Sequence, residues 1–254
     1  MAETVESVIF DWGGTLTPWY TVDPLSTWLE AARAAVGDED VERIGVALAD
    51  AEEAVWSRAL AEHRSGTIAE IFQAAAVTMT PALLAAYEEQ WEPYTYIDPD
   101  APPMLAALRE RGVRVGVLSN THWTREHHER VFARDGILHL LDGAVYTSEI
   151  PWTKPHPEAF RAAMAAVGVT DPPRCVFVGD RLFDDVWGAK SVGMRAVHLP
   201  HSVIPTTQRG HSEGVPDAVV QRLAEVVPLV DAWRAAAEGR DPAAPSRSAG
   251  ATHG

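Results

Sequence analysis

Two aspartates and one lysine stand where the chain could do phosphoryl or metal chemistry. Asp11 follows the apolar run Val8-Ile9-Phe10 and precedes Gly13-Gly14-Thr15. Asp180 follows Cys175-Val-Phe-Val-Gly, and Asp184 and Asp185 come four and five residues later. Between them, Ser119-Asn120 ends the run Val113-Arg-Val-Gly-Val-Leu, and Lys154 opens Lys-Pro-His-Pro. Carboxylates gathered at one point repel each other, and a hard divalent cation such as Mg²⁺ relieves that repulsion with oxygen ligands. A carboxylate is a nucleophile once the charge on its electrophile is neutralised. A serine hydroxyl, a backbone N–H and a lysine can hold the equatorial oxygens of a phosphoryl group. The paired glycines let the backbone come close to a ligand.

Each polar cluster needs an element to carry it. Short apolar runs bounded by turn residues read as buried strands of a parallel sheet, expected at about 5–10, 113–118, 143–146, 175–178 and 196–199. Helical stretches alternate with them at about 104–111, 124–134, 158–167 and 184–191, and residues 218–230 hold a last strand or helix. That alternation predicts right-handed βαβ crossovers and helices on both faces of the sheet. In such sheets ligands bind beyond the carboxyl ends of the strands, where all four clusters fall. Residues 21–95 break the pattern. Apolar residues recur there three and four apart, Gly37-Asp38 and Ser65-Gly66 interrupt them, and Thr80-Pro81 reads as an N-cap followed by a first-turn proline. About four helices without a strand are too long for one crossover and are expected to cap the sheet's carboxyl edge. The expected architecture is an α/β, Rossmann-like parallel sheet core (residues 1–20 and 96–238) with an inserted all-helical cap (21–95). Residues 239–254 read as a disordered tail, being Ala, Pro, Ser, Gly and Arg with almost no large apolar side chain.

The four clusters, in this order and each after an expected strand, resemble the motifs of the haloacid dehalogenase-like hydrolase superfamily. Asp11-Trp12-Gly13-Gly14-Thr15 matches the first, Ser119-Asn120 the second, Lys154-Pro155 the third, and Gly179-Asp180 through Asp185 to Lys190 the fourth. The resemblance covers residues 5 to about 200. It implies Mg²⁺ and a phospho-aspartyl intermediate on Asp11. It also implies a metal site made of Asp11, the Gly13 carbonyl and Asp180, supported by Asp185; for Asp184 two readings stand open, the same supporting role or a helix N-cap. Ser119 and Lys154 bind phosphate in this reading, and Gly14, Thr15 and Asn120 are candidates for substrate contact. The expected substrate is a small phosphorylated metabolite.

One position departs from the pattern. Phosphatases of this family usually carry a second Asp two residues after the nucleophile, which protonates the leaving group and then activates water. Here that residue is Gly13. A positioned acid/base is worth roughly 10²- to 10⁴-fold in rate. His122 and His156 are the nearest replacements in the sequence. Three readings remain open: a phosphatase that is slow or selective for good leaving groups, a haloacid dehalogenase-like C–X hydrolase, and a silent protein that binds a phosphorylated ligand or a partner. The acidic cluster at 180–185 weighs against the dehalogenase, which needs no metal. The phosphonoacetaldehyde hydrolases of this family need a cap lysine, and the only lysines are Lys154 and Lys190, both outside the cap.

Composition sets outer bounds. A net charge of −15 argues against nucleic acid or an anionic membrane surface as partner. Residues 21–95 hold 14 acidic residues against 4 arginines. No run of about 18 apolar residues and no leader pattern is found, so a soluble cytoplasmic protein is the expectation. Cys175, the single cysteine, is expected to be a buried, inert thiol, and Lys190 a charge at a helix C-terminus. Among nine tryptophans, Trp28, Trp56 and Trp91 are expected in the cap core, and Trp12, Trp19, Trp123 and Trp152 beside the motifs as walls of the site.

Overall fold

The run Ser7–Phe10 (β1) is fully buried on both faces, so its side chains sort by the two-residue period of a strand. Val8 and Phe10 enter one hydrophobic cluster and Ile9 the other. The computed structural model describes residues 3–38, 40–200 and 214–239. Within them β1 is the centre of a six-stranded, all-parallel sheet with β2 (Arg114–Ser119), β3 (Gly143–Tyr146), β4 (Cys175–Gly179), β5 (Arg195–His198) and β6 (Ala218–Val219). The order is β3-β2-β1-β4-β5-β6. The chain builds outward from β1 to β3, then crosses back to place β4 on the other side of β1. Crevices at such switch points are where open α/β sheets bind ligands. Phe10 is aligned with Val117 of β2 and with Val178 of β4, so β1 stops at Asp11 between strands that run on to Ser119 and Gly179.

Helices α5 (Ala101–Glu110), α6 (Arg125–Arg134), α7 (Pro157–Ala166), α8 (Gly188–Ser191) and α9 (Val226–Ala237) belong to the sheet domain. Leu105, Leu108, Phe132, Val226 and Val230 cover one face, and Phe160, Met164 and Ala189 the other. Both outcomes expected for 218–230 are realised, a short strand and then a helix. The helix expected at 184–191 begins instead as a π-helical turn over Leu182–Trp187 and becomes α8 only at Gly188. Single π turns inside helices are often found at functional sites. Asp184 therefore lies inside this turn and is not an N-cap.

Between β1 and α5 lie four helices, α1 (Pro24–Val36), α2 (Val41–Glu62), α3 (Ile68–Ala74) and α4 (Pro81–Trp91), as a helical cap. The N-cap and first-turn proline expected at Thr80-Pro81 are found, and two further N-caps accompany them. Asp23, Thr67 and Thr80 each accept backbone N–H groups of the first turn, and proline follows Asp23 and Thr80. Trp28 is at the centre, stacked on Tyr87 at 3.5 Å between centroids and fully buried. The cap's hydrophobic cluster also takes in Trp123, which comes from the segment between β2 and α6. A second link joins cap and sheet domain at residues 63–65. Ser65 N donates to Pro151 O, Thr153 N to His63 O, and the Ser65 hydroxyl to Ile150 O. Among the described residues no helix is long and apolar enough to cross a membrane. Residues 240–254 of the expected tail lie outside the described residues.

Candidate active site

Beyond the carboxyl ends of β1 and β4, Asp11, Asp180 and Asp185 each present a carboxylate oxygen within 4.8 Å of the others. All three side chains are buried. Lys154 closes the group: its Nζ donates to Asp11 Oδ1 at 2.6 Å and to Asp185 Oδ1 at 2.7 Å. The Thr15 hydroxyl donates to Asp11 Oδ2 at 3.3 Å, and Arg181 N donates to Asp185 Oδ2 at 2.9 Å. Neither oxygen of Asp180 has a hydrogen-bond partner among the described residues. Three buried carboxylates thus stand around one ammonium, which bonds two of them. Burial raises the pKa of Asp11 and, further, that of Asp180, where the charges of Asp11 and Asp185 add to the effect. Burial works against the Lys154 charge, but Asp11 and Asp185 outweigh it and hold the ammonium protonated. An orphaned buried carboxylate beside two others fits the oxygen donor set of a hard divalent cation.

Glycine is required at two positions here. A Cβ on Gly179 would stand 2.3 Å from Asp185 Cγ. Gly14 has φ +88°, and a Cβ there would stand 2.7 Å from Asp180 Oδ2. Gly13 is the opposite case. Its backbone is not left-handed, and a Cβ would meet nothing within 4 Å. The position where the family pattern has its second Asp is an open space on the cavity wall.

Ser119 ends β2 and lines the same cavity as Asp11 and Lys154. Asn120 lines it too, and its amide clamps the lysine backbone: Lys154 N donates to Asn120 Oδ1 at 2.8 Å, and Asn120 Nδ2 donates to Lys154 O at 3.1 Å. Asn120 therefore fixes where Lys154 stands. Gly14 is on the cavity wall. Thr15 is not; it borders a smaller hollow below, with its hydroxyl turned to Asp11.

The cavity lies between sheet domain and cap and measures about 920 Å³, within the range of small-molecule sites. Trp12, Trp19 and Trp123 line it as expected; Trp152 does not, being stacked on His156 at 4.0 Å with Arg64 over its ring. Trp56 and Trp91, expected in the cap core, also face the cavity. Of the two candidate histidines, His156 accepts Glu158 N as the N-cap of α7 and is not on the cavity wall. His122 is, with both ring nitrogens unpartnered, and burial lowers its pKa. Asp184 lines the cavity, and burial and the Asp185 charge raise its pKa to about 6. Cys175 is buried, with its thiol pushed up by burial, and Lys190 pairs with Asp217 near the end of α8.

Sequence reasoning missed Glu52. It is a buried carboxylate on α2 that accepts Trp28 Nε1 at 2.6 Å, Tyr87 Oη at 2.8 Å and Trp56 Nε1 at 3.3 Å. Its one sequence signal is an acid in phase with the apolar face Leu48, Ala51 and Val55.

Residues 5–193 match the model of a family described as haloacid dehalogenase-like hydrolase. A glyceraldehyde 3-phosphate phosphatase of Methanopyrus kandleri is 30% identical over 152 residues, which is 60% of this chain and 64% of that protein. A phosphoserine phosphatase of Thermus thermophilus is 34% identical over 128 residues, 50% of this chain and 49% of its own. The chain thus spans between about half and just under two thirds of these curated relatives. A HAD phosphatase structure from Thermococcus onnurineus superimposes with a TM-score of 0.60 at 26% identity, covering 89% of this chain and 98% of its own. The L-2-haloacid dehalogenase of Xanthobacter autotrophicus, at 23% identity and the same TM-score and coverage, shares the fold.

Proposed function

The chain belongs to the haloacid dehalogenase-like hydrolases, and on that premise we propose that it is a divalent-cation-dependent phosphatase of a small phosphorylated metabolite. One observation carries the reading: Asp180, buried with both oxygens orphaned among the described residues, stands beside Asp185 and beside Asp11, which lines the cavity. A haloacid dehalogenase needs Asp11 and a halide pocket but no third carboxylate left without a partner. We take residues 21–95 as the cap and 1–20 with 96–238 as the core.

In this mechanism Asp11 attacks phosphorus, and the bond from phosphorus to the leaving oxygen breaks with its electron pair going to that oxygen. Lys154 and the Ser119 hydroxyl donate to the phosphoryl oxygens, and Asn120 keeps Lys154 in place. Thr15 holds the second oxygen of Asp11, which fixes the carboxylate's orientation. Mg²⁺ held by Asp11, Asp180, Asp185 and the Gly13 carbonyl would neutralise the charge between nucleophile and phosphoryl group. Water then cleaves the phospho-aspartyl bond. With glycine at 13, the chain puts no carboxylic acid next to the leaving oxygen, so among esters bound alike turnover slows as the leaving group becomes more basic.

The test is Mg²⁺-dependent phosphate release from acetyl phosphate and p-nitrophenyl phosphate. Asp11→Asn is expected to abolish it and EDTA to suppress it reversibly. Halide release from 2-haloacids that survives EDTA would overturn the phosphatase assignment.

A further inference from the structure

The cavity has two chemically different ends. Among the described residues, the Lys and Arg side chains on its wall, Lys154 and Arg181, both come from the sheet domain. The cap contributes Asp23, Asp50, Glu52 and Glu53 to the wall and no lysine or arginine. The cap's four arginines are engaged elsewhere: Arg33 with Glu30, Arg43 with Asp40, Arg58 with Glu70, and Arg64 over the Trp152 ring. A substrate with a second anionic group would meet repulsion at the cap end and, among the described residues, no cap lysine or arginine to offset it.

We propose that the cap end of the cavity receives an ammonium group bearing N–H donors, held by Glu52 and His122, so that the substrate is an aminoalkyl phosphate. The proposal rests on the phosphatase reading. Acidic side chains on a cavity wall are common, but Glu52 and His122 are unusual in being closed off from water. Glu52 is 3% exposed, and its partners are three neutral donors, Trp28, Tyr87 and Trp56. No lysine or arginine lies within ion-pair distance of it among the described residues. Buried carboxylates normally have a cation nearby, because the cost of removing the charge from water is otherwise only partly offset. Two of the donors crowd Oε2, whereas Oε1 takes only the longer bond from Trp56. That oxygen has acceptor capacity to spare.

His122 supplies the second, independent sign of a ligand. It is 3% exposed, lines the same cavity, and neither ring nitrogen has a hydrogen-bond partner among the described residues. Buried polar atoms in native folds nearly always find one. Its ring lies edge-on to Trp56 at 5.8 Å, the same indole that donates to Glu52. Burial keeps the imidazole neutral, so one nitrogen is an acceptor. An ammonium with N–H groups satisfies both unmet demands at once: a countercharge for Glu52 and a donor for His122. Trp56 and Trp91 on the wall add rings suited to a cation. The same logic disfavours a phosphorylated amino acid, whose carboxylate would face the acidic cap.

The test uses an isosteric pair, 2-aminoethyl phosphate and n-propyl phosphate, which differ only in ammonium against methyl. With the full-length chain and Mg²⁺, the ratio of kcat/KM for the first over the second is expected to exceed tenfold. Glu52→Gln, which retains an oxygen acceptor for the three donors, is expected to lower that ratio at least tenfold. If Glu52 were only a structural bracket, the substitution would slow both esters alike and leave the ratio where it was. A wild-type ratio near one, or a ratio that survives Glu52→Gln, overturns the proposal. If p-nitrophenyl phosphate is hydrolysed and neither alkyl ester is, the proposal fails and the phosphatase reading stands. If no phosphate compound is hydrolysed, the phosphatase reading fails. Calorimetric binding of the same two compounds then decides the ammonium site alone: binding of the amino compound at least tenfold tighter, lost in Glu52→Gln, upholds it, and equal binding overturns it.

Discussion

Gly13→Asp restores a carboxyl group where the family's phosphatases have one, and the structure sets out what it will do. A Cβ at this position meets nothing within 4 Å, and the backbone is not in the left-handed region, so the substitution carries neither clash nor strain. Replacing an unstrained glycine commonly stabilises by about 0.4–1 kcal/mol through the unfolded chain, and like-charge repulsion from the three neighbouring carboxylates offsets that gain. Folding stability should therefore change little. The rate should change much. A positioned general acid contributes about 10²- to 10⁴-fold, or roughly 3–5 kcal/mol of barrier. The gain should appear where the leaving oxygen is basic. For an alkyl phosphate kcat/KM is expected to rise at least 100-fold; for p-nitrophenyl phosphate, which departs without a proton, the rise should be under tenfold. The assay is phosphate release across a series of esters graded in leaving-group pKa, with thermal melts as a control for folding. An equal change for all leaving groups, or no change with stability intact, would refute the claim that Gly13 is the missing acid.

Three further outcomes follow from the same geometry. Lys154→Met leaves Asp11 and Asp185 buried without their ammonium, and breaking such a pair costs about 3–5 kcal/mol, visible as a lower denaturation midpoint in metal-free buffer. Mg²⁺ should stabilise the wild type by about 2.7 kcal/mol at 100 times its Kd, and Asp180→Asn should remove most of that gain; calorimetry in Mg²⁺ against EDTA measures it. His127 is stacked on Trp123 at 4.2 Å, and burial pushes its pKa down to about 4. Its unfolded value lies near 6.5, so its neutral burial favours folding fully above pH 6.5 and loses that advantage as pH falls toward 4, by a few kcal/mol at most. His127→Phe should flatten the stability profile across that window relative to wild type; parallel profiles would refute the assignment.

The fold was legible because periodicity and strand-end polarity agree. The run Val8-Ile9-Phe10, bounded by turn residues, reads as a buried strand, and the helix signal Thr80-Pro81 is a local hydrogen-bonding device visible without tertiary context. The convergence of Asp11, Lys154, Asp180 and Asp185 follows from topology once the strands are placed. Other features depend on distant chain segments and could not be read in advance. The π turn at Leu182–Trp187 lets Asp185 fold back onto Gly179 and Arg181 N, a long-range fit that helix periodicity does not encode. Glu52 looked like one more solvated acid in an acidic cap, because its three donors come from α1, α2 itself and α4. Trp56 was misplaced for the same reason: a helix with a cavity on one side and a core on the other presents two faces that both favour large aromatic side chains.

Trp123 has a bearing on how such a protein could be re-engineered. It leaves the sheet domain just after Ser119-Asn120 and ends inside the cap's hydrophobic cluster, in face-to-face contact with Tyr87 at 4.9 Å. Cutting the chain at the two linkers that enter and leave the cap would therefore excise a piece whose packing is missing one aromatic ring. The transplantable unit is discontinuous: helices 24–91 together with the segment from Thr121 to His128. Grafting a foreign cap onto this core, or this cap onto another, would have to carry both pieces, and the second piece brings with it the register of Ser119.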